Sequence, residues 1–76
     1  MVAKGLAKAF GQELRACREA REWTQEELAE RAGLHVNAIG LLERGMRTPS
    51  LATLATLADQ FEMKASAFIA RLERRL

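Results

Sequence analysis

Seventy-six residues suffice for one small domain and leave no room for a second, and a chain of that size buries only about 60–65% of its unfolded surface. Charged residues at 29% and apolar residues at 49% are the ordinary balance of a soluble globular chain, and no apolar run approaches the ~20 residues of a membrane span. No signal-peptide pattern opens the chain and the single Cys17 has neither a disulfide mate nor companion metal ligands, so a cytoplasmic protein with no membrane partner, cofactor or metal is expected.

The first helix is expected from about Ala3 to Arg21, where Leu6, Phe10, Leu14 and Cys17 recur at three- and four-residue spacing as one apolar stripe. Trp23 follows in a connector, placed to cap the core edge with its indole N–H toward a carbonyl or water. Thr24 and Glu27 have the spacing of a capping box that opens a second helix, about Gln25 to Ala32. Leu28 and Ala32 share its inner face, Ala29 is small where the next helix must cross, and Glu26, Glu27, Glu30 and Arg31 lie elsewhere. Gly33 ends that helix, because glycine alone enters the left-handed conformation without steric cost.

A third helix is expected from about Val36 to Arg44, with Ile39 and Leu42 as its apolar seam and Gly45 closing it. Residues 45–50 read as a loop from their glycine and the only proline, Pro49. Ser50 is the N-cap of a fourth helix whose buried stripe is Leu51, Leu54, Ala55, Ala58 and Phe61. The fifth helix, about Ala65 to Arg75, aligns Ala65, Phe68, Ile69, Leu72 and Leu76. Leu14, Leu28, Ile39, Leu42, Leu54 and Leu57 can close a core among the first four helices. Phe68, Ile69 and Leu72 are then either further core or the seam of a two-fold dimer, where one patch meets itself. No alternating run calls for a strand.

Two short helices joined by a tight turn over residues 24–45 have helix-turn-helix spacing, which points to double-stranded DNA as the partner. The net charge is only +2, and residues 24–43 set Glu26, Glu27, Glu30 and Glu43 against Arg31, a local −3 that leaves +5 for the rest. A diffuse electrostatic binder carries more positive charge; this chain must rely on a few well-placed donors. Facing outward near the start of the third helix are His35, Val36, Asn37, Gly40 and Leu41. Asn37 offers an amide that matches adenine N6 and N7, or a phosphate, whereas Val36 and Leu41 either touch thymine methyls or are ordinary apolar surface. Gly40 costs about 1 kcal/mol inside a helix relative to alanine, and is there for a close approach or is simply tolerated. His35, at the N-cap position, is expected to cap or to bond phosphate. With no second histidine, nucleophile–base pair or carboxylate cluster beside it, an enzyme is not expected, nor a small-molecule substrate. Cys17 reads as core, and Arg71, Arg74 and Arg75 as a solvated rim.

The run LRACREAREWTQEELAERAGLHVNAIGLLERGMRTPSLATLATLA resembles the Cro/phage-repressor-type helix-turn-helix family, also called the xenobiotic-response-element type. Arg18, Thr24-Gln25, Leu28-Ala29, Gly33, Ile39, Glu43-Arg44-Gly45 and Pro49 carry the resemblance, which extends from about Leu14 to Ile69. It implies an all-α, lambda-repressor-like domain of five helices spanning residues 1–76, binding operators as a dimer. The short length and the AGLH…IG..ERG run look most like the controller proteins of restriction–modification systems. By the same resemblance His35, Val36, Asn37 and Leu41 occupy base-reading positions. Gln25 is implied as a phosphate ligand, and Arg44, Arg47 and Thr48 flank the following loop within reach of phosphates. Arg18 and Glu43 are implied as a partly buried salt bridge that holds the reading helix at its angle. Glu22 and Glu62 depart from the family, which often has glycine there; either the backbone is left-handed at a cost of ~1 kcal/mol, or the turn is reshaped. Ala38 and Leu41 stand where many relatives are polar, so no operator sequence is inherited.

The expected function is therefore a sequence-specific transcriptional regulator, such as a repressor, acting as a homodimer on a two-fold symmetric operator. Its control is expected to come from protein concentration and dimerisation, through the helix at residues 65–75. The alternative is a protein-interaction module, such as the antitoxin of a toxin–antitoxin pair, which the apolar face of the fifth helix motivates.

Overall fold

The computed structural model describes residues 5–76, and its five helices are α1 (Leu6–Ala20), α2 (Gln25–Ala32), α3 (Val36–Glu43), α4 (Leu51–Gln60) and α5 (Ala65–Arg74). No strand occurs among the described residues. The expected start of the first helix at Ala3 lies outside them.

Local hydrogen bonds set most of these boundaries. Thr24 Oγ1 accepts from the Glu27 N–H at 3.0 Å while the Thr24 N–H donates to Glu27 Oε1 at 2.8 Å, the complete capping box. The Thr24 backbone N–H foremost, and then the Thr24 hydroxyl, hold the Glu27 carboxyl below its usual range. Ser50 opens α4 in a similar way, its Oγ accepting from the Thr53 N–H at 3.0 Å. Gly33 closes α2 at φ 69°. At the ends of α1 and α4, Glu22 and Glu62 take left-handed backbones at φ 58° and 56° without being glycine, at ~1 kcal/mol each. The two turns repay part of that cost identically. Trp23 N–H donates to the Arg18 carbonyl at 3.2 Å and Met63 N–H to the Ala58 carbonyl at 3.0 Å, bonds that satisfy orphaned helix carbonyls.

Phe10, Leu14, Cys17, Leu28, Ile39, Leu42, Leu54, Leu57, Phe61, Phe68 and Leu72 fill one continuous core. Its aromatic rings run in a chain, with Phe10 edge-on to Phe68 at 5.6 Å, Phe68 stacked on Phe61 at 6.2 Å, and Phe61 stacked on Trp23 at 6.0 Å. Trp23 closes the core edge through its faces, the outer one covered by the Arg31 guanidinium 4.1 Å from a ring centroid.

Three expectations need correcting here. Phe68 and Leu72 are sealed inside the monomer, so they are not available as a dimer seam; of the three residues assigned to it, only Ile69 reaches the surface. In α4 the buried face is Leu54, Leu57, Ala58 and Phe61, whereas Leu51 is 76% exposed and Ala55 is also outside. Because α4 packs against both α2 and α5, its inner face is rotated by the two neighbours together, away from Leu51 and Ala55. Finally, Arg71 and Arg75 are not merely a rim. Arg71 Nη1 donates to Glu13 Oε2 and Arg75 Nε to Glu13 Oε1, both at 2.9 Å, across a carboxylate that is 6% exposed.

Burial pushes the Glu13 carboxyl upward, but hydrogen bonds from Arg75, Cys17 and Arg71 outweigh it and leave it below the ordinary value. A carboxylate depressed on folding stabilises the fold above its unfolded titration range, and that contribution is lost as pH falls through the folded value. Glu13→Gln is therefore expected to cost about 1–2 kcal/mol at pH 7, a charged hydrogen-bond loss discounted for half-exposed guanidiniums. Urea unfolding at pH 7 and pH 3 checks this, since wild type and variant should converge in acid. The neighbouring Cys17 thiol is raised, first by burial and then by the Glu13 carboxylate, which keeps it protonated as core.

Candidate nucleic-acid interface

The outward-facing helix is α3, and α1 grips it from behind. Gly11 lies where α1 crosses the end of α3, and a Cβ there would stand 2.5 Å from the carbonyl oxygens of both Leu42 and Glu43. Only a residue without a side chain lets the two backbones touch. Beside that crossing, Arg18 Nε donates to Glu43 Oε2 at 2.7 Å and Nη2 donates to Oε1 at 3.1 Å, a two-pronged pair. The Arg18 and Glu43 side chains are 12% and 4% exposed. Arg18 Nη1 also donates to the Trp23 carbonyl at 2.8 Å. The Glu43 hydrogen bond raises the already high Arg18 value further, so this charge is permanent.

Gln25 joins the same carboxylate, its Nε2 donating to Glu43 Oε1 at 3.0 Å. One buried carboxylate thus ties α1, the first turn of α2 and the last turn of α3 together. An amide nitrogen carries two hydrogens, so Gln25 retains one for an outside acceptor. The first turn of α2 already contains Glu26 and Glu27, which offset the positive end of that helix. The first turn of α3 contains no acidic residue, leaving its N-terminal N–H groups open to an anion.

Gln25, Val36, Asn37, Gly40, Leu41 and Arg44 line one open depression of about 340 Å³ on the outer face of α3. Asn37 and Arg44 are exposed, while Val36 and Leu41 are half-buried. An eight-residue helix is about 12 Å long, comparable with the width of a DNA major groove, about 12 Å. Five of the expected contact residues are thereby gathered on one surface. The other three stand apart from the depression. His35 is exposed at the N-cap with an extended backbone and makes no side-chain capping bond, which corrects its capping role. Arg47 and Thr48 are exposed in the loop after α3.

Thr48 instead borders a second, apolar groove of about 250 Å³ with Leu6, Phe10, Pro49, Leu51, Leu54, Ile69 and Leu72. Ile69 at 36% and Leu51 at 76% are its exposed large side chains. Gly11 and Glu13 are structural residues that the apolar pattern passed over. Their signals were a glycine inside a strong helix, and an acid three residues from Phe10 and four from Cys17, on the flank of the buried stripe. Among the described residues no three His, Cys, Asp or Glu side chains assemble to hold a metal ion, and no helix is long and apolar enough to cross a membrane.

Residues 14–68 match the family model described as helix-turn-helix. The chain is 37% identical over 59 residues to YazB of Bacillus subtilis (strain 168), described as an uncharacterized HTH-type transcriptional regulator, covering 78% of this chain and 86% of that protein. It is also 37% identical over 59 residues to the immunity repressor protein of Bacillus phage phi105, of which it spans 41%. The crystal structure of the restriction-modification controller protein C.AhdI from Aeromonas hydrophila is similar at a TM-score of 0.77 and 35% identity, over 82% of this chain and 94% of that one.

Proposed function

The chain belongs to the helix-turn-helix family of transcriptional regulators, and from that premise we propose that it recognises one operator sequence in duplex DNA as a homodimer. The single observation behind this proposal is the convergence of Val36, Asn37, Leu41, Arg44 and Gln25 on one exposed depression. They sit on a helix whose far end is locked by Glu43. Asn37 pairs with an adenine edge, while Val36 and Leu41 meet thymine methyls. His35 reads at the start of the helix, and Gln25, Arg44, Arg47 and Thr48 hold the flanking phosphates. Recognition is the chain's work; the family regulates transcription and does not catalyse.

One short helix supplies few base contacts, and a two-fold pair doubles them. The second copy meets the edge where Ile69 and Leu51 border the apolar groove, because Phe68 and Leu72 are already used by the core. The likeness to C.AhdI over 94% of that chain supports a small regulator of the controller type, working in the cytoplasm where its DNA is.

Selection from random duplexes is expected to enrich a two-fold symmetric site. Asn37→Ala weakens binding to that site by ~1–3 kcal/mol and relaxes one position in each half; an unaltered sequence profile for the variant would refute the assignment. Ile69→Lys is expected to turn the dimer into a monomer in sedimentation at micromolar protein, with operator binding falling alongside. If wild type is itself monomeric and co-purifies with an unrelated small protein, the antitoxin alternative gains.

A further inference from the structure

Three glycines lie in or against α3, and two are required by the monomer itself. A Cβ on Gly11 would collide with two carbonyls of α3, and Gly45 has φ +71° with a Cβ 3.1 Å from the Lys8 Cα. Gly40 differs from both. It stands inside α3 without a positive φ, and a Cβ there would meet only Arg44 Nη1, at 3.9 Å. That is ordinary contact with the far end of a flexible side chain. Alanine fits this position and favours the helix, so nothing among the described residues accounts for the glycine.

Its surroundings indicate what does. Gly40 is itself buried, at the bottom of the depression, with Val36 one turn before it and Leu41 beside it, and with Asn37, Arg44 and Gln25 also on the lining. Two apolar side chains flanking bare backbone make a recess for a small apolar group, and the rim carries polar donors. In the DNA major groove the one apolar group on a base edge is the thymine C5-methyl. We infer that Gly40 is a specificity-determining residue, leaving a methyl-sized recess between Val36 and Leu41 that admits one thymine of each half-site. This rests on the duplex-binding proposal above.

The test uses the full chain and its selected duplex, with each thymine replaced in turn by deoxyuridine, which removes only the methyl. For wild type, one such replacement per half-site should weaken binding several-fold. Gly40→Ala is expected to raise the thermal midpoint by about 4–8 °C and to bind the thymine duplex at least tenfold more weakly. Deoxyuridine at that position should then cost the variant little. Equal or tighter binding by Gly40→Ala overturns the inference, as does a lowered thermal midpoint, which would mean the monomer needs the glycine after all. Wild type binding no selected duplex instead sinks the DNA-binding proposal beneath it, an outcome visible without the variant.

Discussion

Arg18→Ala is expected to remove about 3–5 kcal/mol of stability, the cost of stranding one member of a buried pair. Glu43 would keep a 4%-exposed carboxylate with, among the described residues, only the Gln25 amide to oppose it. A domain of 76 residues has on the order of 4–11 kcal/mol in total, so this one change consumes a large share. The thermal midpoint should fall by roughly 15 °C or more, read by calorimetry. Replacing both partners with apolar residues, Arg18→Met with Glu43→Leu, should recover much of the loss, because two charges no longer need solvation. A single-variant loss below ~1 kcal/mol would mean that water already reaches the pair. DNA binding should drop as well in the double variant, measured well below its melting temperature. Glu43 is what Gln25 and Arg18 both hold, and without it the tilt of α3 is no longer set.

Gly11→Val acts on the same junction by shape instead of charge. With two carbonyl oxygens 2.5 Å from the Cβ position, no side-chain rotation relieves the clash, since the obstacle is backbone. The helices α1 and α3 must separate, opening the core around Phe10, Leu14 and Leu42. The expected loss is roughly 3 kcal/mol or more, the upper end of overpacking. Denaturant unfolding measures it, and a fluorescence-anisotropy titration on the selected duplex should show weakened binding even where the variant is folded. Stability within about 0.5 kcal/mol of wild type would place the crossing of α1 and α3 elsewhere.

Much of this was legible from residue order. The capping box at Thr24, the cap at Ser50 and the stop at Gly33 depend on hydrogen bonds and sterics within about four residues, so the chain announces them locally. The spacing of α2, turn and α3 follows from those signals, and with it the outward position of Asn37 and the half-exposed position of Val36 and Leu41; Gly40, expected to face outward, is instead buried. At Glu22 and Glu62 the family resemblance marked the positions but left open a left-handed backbone or a reshaped turn, and the structure takes the left-handed one at both.

What residue order determined, then, was the helices, their ends and the exposed face of the reading helix, each the outcome of short-range physics. Only the tertiary structure decided which part of each apolar stripe is buried. Periodicity defines a band of apolar positions, and the neighbours choose within it, which is why Leu57 went inside and Leu51 stayed out, and why Phe68 and Leu72 joined the core while Ile69 did not. The arginine partners of Glu13 lie 58 and 62 residues away, and the backbone that Gly11 touches belongs to another helix. Contacts of that kind arise from how the helices cross, and no window of sequence contains them.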